Sequence, residues 1–141
     1  MEAEALFDEL AAIENEKQLE LYIEKIQKAY HKEFKIFLRE MMDRMGVDRA
    51  WLYRHSRMER TYIYQLLDGK KTHPGKDKVV MMGIALRMNV DEICYALELA
   101  DTGILNPKTS RDSLLIYALQ RKYSIAATNA LLEQFGEKLL E

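Results

Sequence analysis

From Glu14 to Met45 the chain runs without a glycine or a proline. This is the tightest constraint in the sequence, because apolar residues recur through it at helical spacing. Leu19, Tyr22, Ile23, Ile26 and Tyr30 form one stripe, and Phe34, Phe37, Leu38, Met41, Met42 and Met45 continue it. Either one long helix covers the region or two helices meet near His31. Gly46 ends the run as a helix C-terminal glycine. Upstream, Ala3, Leu6, Leu10 and Ile13 keep the same period, and Asn15 is a stop or a cap.

The remainder reads as shorter helices. Asp48 caps a helix over Arg49 to His55. A second starts near Glu59, reaches Leu67 and stops at Asp68-Gly69. Pro74 and Gly75 make a loop. A largely apolar helix follows from Asp77 or Lys78 to Met88, and Asp91 caps another to about Ala100. After the loop TGILNPKTS, Ser110 caps a helix to about Lys122. Ser124 caps the last, Ile125 to Phe135, closed by Gly136. No run has strand period, and no internal repeat stands out. With only six Gly and two Pro in 141 residues, the expected class is all-α.

One cysteine, Cys94, excludes an internal disulfide and fits a reducing compartment. It lies in the apolar stretch ICYALELA and reads as a small core residue. The start, MEAEALFDEL, is acidic and lacks the basic region of a signal peptide. No stretch approaches about 18 uninterrupted apolar residues. A cytoplasmic protein without a membrane partner is expected. His31, His55 and His73 lack metal-ligand spacing, and no phosphate loop, dinucleotide fingerprint or nucleophile elbow occurs. Neither an enzyme nor a cofactor is expected.

The formal charge of −2 hides an asymmetry. Residues 1–29 carry eight acids against three lysines, about −5. Residues 49–78 carry eight bases against three acids, about +5. Local charge decides how a surface meets a polyanion. In the helix near Ile63, the residues Tyr62, Ile63, Leu66 and Leu67 share an inner face. Arg60, Thr61, Tyr64, Gln65 and Asp68 share the outer one. Arginine can donate bidentately to guanine, glutamine to adenine, and a threonine methyl can meet thymine. Arg49 at a helix start, and Lys70, Lys71, Thr72 and His73 in the loop beyond, suit phosphates.

The segment GVDRAWLYRHSRMERTYIYQLLDGKKTHP resembles the helix-turn-helix of the lambda-repressor-like, Cro/C1-type (XRE) regulators. The likeness covers about Phe34 to Ala100. Gly46, Leu52, Met58, Ile63, Leu66, Gly69-Lys70-Lys71 and Pro74 match its pattern. Two positions depart from it: Tyr53 stands where a small residue is usual, and Arg57 replaces the turn glycine. A non-glycine residue at positive φ there costs about 1 kcal/mol. The tail ILNPKTSRDSLLIYALQRKYSIAATNALLEQFG is similar to one carried by some bacterial members.

The resemblance implies a lambda-repressor-like bundle with extra N-terminal helices (1–32), a helix-turn-helix domain (33–101) and a two-helix C-terminal extension (102–141). It implies a transcriptional regulator bound to double-stranded DNA, as a homodimer. Arg60, Thr61, Tyr64 and Gln65 would read bases, while Arg49, Arg57, Lys70, Lys71, Thr72 and His73 would hold phosphates. The rival is a protein-interaction module, such as an antitoxin or adaptor, in which the same fold docks a protein partner.

Overall fold

The computed structural model describes residues 2–30 and 33–141, so His31 lies outside the described residues. The chain divides into two compact units, Met1–Lys32 and Glu33–Glu141. The first holds α1 (Glu2–Ala11) and α2 (Glu16–Tyr30). Asn15 caps α2, its Oδ1 accepting from the Gln18 N–H at 2.9 Å. Lys25 and Glu9 form an ion pair between α1 and α2.

The second unit holds α3 (Phe34–Met45), α4 (Arg49–His55), α5 (Arg60–Asp68), α6 (Lys76–Ala85), α7 (Val90–Ala100), α8 (Ser110–Gln120) and α9 (Ile125–Gln134). No strand occurs among the described residues. The uninterrupted run is therefore two helices, α2 and α3. On α3 the buried set is Phe34, Phe37, Leu38, Met41 and Met42, one helical face turned onto α5 and α7. Central α6 buries five consecutive residues, Val79 to Gly83, because α4, α7 and α9 surround it. Gly83 is required at the α6–α7 crossing, where an added Cβ would lie 2.7 Å from Cγ1 of Ile93.

Three sequence expectations change. Asn89, not Asp91, caps α7: it accepts from the Glu92 N–H at 2.8 Å, and Glu92 returns the bond to the Asn89 N–H at 2.9 Å. Hydrogen bonds from Arg44 hold the Glu92 carboxyl below its ordinary range. Thr109, not Ser110, stands at the N-cap of α8. Cys94 is exposed. Ile93, Ala96, Leu97 and Ala100 take the buried face of α7, and Cys94 is one residue, about 100°, away from it.

The unit also contains a repeat that the sequence conceals. The α6–α7 and α8–α9 pairs correspond at an offset of 35 residues: Asp77 with Asp112, Gly83 with Ala118, Arg87 with Lys122, Ile93 with Thr128, Leu97 with Leu132. Buried small or apolar positions, the caps, one Lys/Arg-Asp pair and the cation of the turn keep their character, while most other letters differ, so the likeness is in roles rather than letters. The two copies exchange equivalent ion pairs. Lys76 Nζ reaches Asp112 at 2.7 Å, and Arg111 reaches Asp77 at 2.8 Å. Asp112, 6% exposed, also accepts from the Asn106 N–H at 2.9 Å.

One turn design joins α3 to α4, α4 to α5, α6 to α7 and α8 to α9. In each, a residue in the left-handed region ends the helix and the next, apolar residue donates its N–H back. The bonds run from Val47 to the Met42 carbonyl (3.1 Å), Met58 to Tyr53 (3.1 Å), Met88 to Gly83 (2.9 Å) and Tyr123 to Ala118 (3.0 Å). The left-handed residue is glycine once, Gly46 at φ 69°. It is a cation three times: Arg57 (60°), Arg87 (55°) and Lys122 (59°).

Candidate nucleic-acid interface

Helix α5 is held from three sides. Ile63, Leu66 and Leu67 are buried against the core, and Tyr62 is half-buried beside them. Arg39 on α3 donates to the Leu67 carbonyl, placing a cation at the negative end of the helix. Gly69, at φ 81°, closes it under the Lys35 side chain. The opposite face is left open. Arg60 and Thr61 are exposed, and Tyr64 and Gln65 are half-buried.

Several of the expected residues come together on this face. Two guanidinium groups lie over the Tyr64 ring, Arg49 at 5.1 Å and Arg60 at 5.0 Å from its centroid. Such contacts attract the cation to the ring face by about 0.5–1 kcal/mol at exposed sites. Arg49 also lies 3.5 Å from Asp68, an exposed pair of the kind worth at most about 1 kcal/mol. Asp68 is a participant the sequence reading placed on this face but gave no role. Beyond α5, the Lys71 N–H donates to the Gln65 carbonyl at 3.1 Å, and its ammonium lies 5.2 Å from the Tyr62 centroid. Lys70 and Thr72 are exposed.

The helix ends differ in how they meet an anion. At α4 the Asp48 carboxylate takes the Trp51 N–H at 2.8 Å, so this part of the terminus beside Arg49 already has its negative partner. At α5 the N-cap Glu59 makes no such side-chain bond, leaving the first turn beside Arg60 open to an outside acceptor. His73 is set apart: its Nδ1 lies 2.9 Å from the Ala100 carbonyl at the end of α7.

Arg57 belongs to a different group. It lines a cavity with Trp51 and His55 of α4, Arg87 of the α6–α7 turn and Lys122 of the α8–α9 turn. Trp51 stacks on His55 with centroids 4.0 Å apart, and His55 Nδ1 meets the Trp51 carbonyl at 2.8 Å. Sequence reasoning missed Arg87 and Lys122. The signal was present as a basic residue, an apolar one and a cap in Arg57-Met58-Glu59, Arg87-Met88-Asn89 and Lys122-Tyr123-Ser124.

Among the described residues, no group of three His, Cys, Asp or Glu is placed to hold a metal ion, and no helix is long and apolar enough to cross a membrane. No family model matches the chain, and neither a curated protein nor a solved structure is found to be similar to it.

Proposed function

We propose that this chain is a sequence-specific double-stranded DNA-binding regulator of the lambda-repressor-like helix-turn-helix kind, with α5 as the helix that enters the major groove. The observation that carries the reading is the division of α5. Its apolar side is buried against the core, while Arg60 and Thr61 are exposed and the half-buried Tyr64 and Gln65 lie beside them, with Arg49 alongside. Arg60, Thr61 and Gln65 supply donors and a methyl for base edges, and the Tyr64 ring attracts the two guanidiniums. Arg49, Lys70, Lys71 and the open first turn of α5 supply phosphate contacts, which set affinity and register.

A single helix of this length reads few base pairs. A two-fold dimer on an inverted repeat, with half-sites about 34 Å apart or a multiple of that, fits the demand. The test is selection of bound duplexes from a random pool at fixed ionic strength. Enrichment of one inverted repeat, with affinity falling steeply as salt rises, is the expected result. A pool that stays random, or an affinity indifferent to salt, removes the reading.

One observation favours a protein partner as well. Phe7 is 71% exposed and Leu21 59% exposed in the acidic N-terminal unit, and exposed large apolar groups mark association surfaces when they cluster. Deleting residues 1–30 and measuring solution mass alongside DNA affinity separates the roles. Loss of the dimer with weakened DNA binding assigns the unit to self-association. A truncated chain that stays dimeric and binds DNA unchanged leaves it neither role.

A further inference from the structure

The three cationic turns do not point to three unrelated places. Arg57, Arg87 and Lys122 line one cavity of about 510 Å³, within the size range of small-molecule sites. Its walls are largely apolar, with Ile84, Met88, Leu119 and Ile125 among them, and the stacked Trp51 and His55 add an aromatic side. Among the described residues, no acidic side chain lines it. Glu92 lies within electrostatic reach of Lys122, but its carboxylate is already engaged by Arg44. The balance at the rim is therefore positive. At the equivalent position of the α3–α4 turn the chain uses Gly46, which adopts positive φ without strain. Three cations in the same conformation, gathered round one apolar hollow, need a reason beyond the turn itself.

We infer that this cavity binds a small aromatic carboxylate, its ring beside Trp51 and between the apolar walls, its carboxylate among Arg57, Arg87 and Lys122. An apolar body with one anionic head matches both halves of the lining. Guanidinium groups grip a carboxylate with paired hydrogen bonds, and aromatic rings prefer offset or edge contacts with Trp51. This site stands independently of the DNA reading, since neither Arg87 nor Lys122 belongs to the α5 face.

Trp51 is the only tryptophan, so its fluorescence reports the cavity directly. The experiment titrates the full chain with benzoate, with inorganic phosphate and benzylamine as controls, by fluorescence and calorimetry. Saturable benzoate binding is expected, with both controls at least about tenfold weaker, because phosphate lacks the ring that the apolar walls would hold and benzylamine brings a cation to a cationic rim. The Arg87→Asn/Lys122→Asn variant removes two charges while asparagine tolerates the left-handed turn. It should keep its melting temperature and lose benzoate affinity about tenfold or more. Ala85→Phe, which fills the cavity, should block benzoate by a different route. Absence of saturable benzoate binding, equal binding of benzylamine, or unchanged affinity in the double variant overturns the inference. So does a double variant that loses duplex DNA affinity while the unaltered chain ignores benzoate, which would assign the rim to a nucleic-acid backbone.

Discussion

Helices α5 and α7 are built on the same device and present opposite surfaces. Each follows a turn with an arginine in the left-handed region, Arg57 or Arg87, and each buries an isoleucine and a leucine four residues on, Ile63 with Leu67 and Ile93 with Leu97. Outside, α5 shows Arg60, Thr61, Tyr64 and Gln65. At the corresponding positions α7 shows Val90, Asp91, Cys94 and Tyr95, and Val90 to Asp101 inclusive holds four acids and no base. Backbone and core alone therefore do not mark a nucleic-acid face. A turn and a half-buried helix are reused, and the outward side chains differ: Arg60 and Thr61 on α5 stand where α7 has Val90 and Asp91.

The largest expected effect comes from breaking what the two repeated pairs share. Asp112→Ala removes the buried carboxylate that accepts from both the half-buried Lys76 ammonium and the Asn106 N–H. Removing one partner of such a pair should cost about 3 kcal/mol, visible as a lower urea midpoint with an unchanged slope. Asp77→Ala should cost less, because Arg111 keeps the Lys138 and Leu139 carbonyls as acceptors when the carboxylate is gone. If Asp77→Ala proves the more damaging, the exchange of equivalent ion pairs is not what ties α6 to α8.

Next in size are the effects that separate α5 from α7 on the DNA reading. Arg60→Ala should lose about 1–3 kcal/mol against the preferred duplex and relax selectivity at one base position. Lys70→Ala should weaken all duplexes alike and flatten the salt dependence by about one unit of slope. Thr61→Asp, which copies the α7 carboxylate onto α5, should weaken every duplex and leave folding unchanged. Competitive binding with preferred and scrambled oligonucleotides measures all three. Equal losses for Arg60→Ala on both oligonucleotides would deny Arg60 its base-reading role.

Sequence and structure agree best where local chemistry decides the backbone. Asp48 before Arg49, Gly69 after Asp68 and Gly46 after Met45 announce helix ends through short-range bonds, so α4, α5 and the end of α3 lie within a residue or so of expectation, while the start of α3 had no local signal. The buried stripe of α5 was legible from spacing alone. Less visible were features made by distant parts of the chain. The 35-residue correspondence hides because Gly83 and Ala118, or Ile93 and Thr128, serve one packing role with different letters. Cys94 looked apolar by its neighbours, but the α7 face that meets α3, α6 and α8 turns it outward. The clustering of Arg57 with Arg87 and Lys122 depends on three turns meeting, which no spacing along one helix encodes.

A smaller effect tests the crossings of the two copies. Gly83→Ala gains up to about 1 kcal/mol of helix preference. The new methyl would meet Ile93 Cγ1 at 2.7 Å and Cδ1 at 2.8 Å, overpacking that costs about 1–3 kcal/mol. A modest net destabilisation is expected, and Ile93→Val should relieve it in part, giving a favourable coupling in a double-mutant cycle. Ala118 already occupies the matching place in the other copy, and the residue matching Ile93 there is Thr128. A Gly83→Ala chain as stable as the unaltered one would mean that α6 and α7 can separate slightly without loss.

The smallest effect concerns the turns themselves. Replacing Arg87 or Lys122 by glycine removes the strain of a left-handed L residue, worth about 1 kcal/mol. Part of that gain is offset because glycine also loosens the unfolded chain. A rise in stability of a few tenths of a kcal/mol up to about 1 is expected in each case, read from thermal or urea unfolding. Gly46 at the α3–α4 turn provides the internal standard: Gly46→Arg should lose a comparable amount, since no atom crowds its Cβ position and only the positive φ is at stake. If Arg87→Gly and Lys122→Gly both stabilise while Gly46→Arg destabilises, the cations are held in their turns against the local preference of the backbone. Their retention then has to be explained by the charge they bring to the cavity beside Trp51.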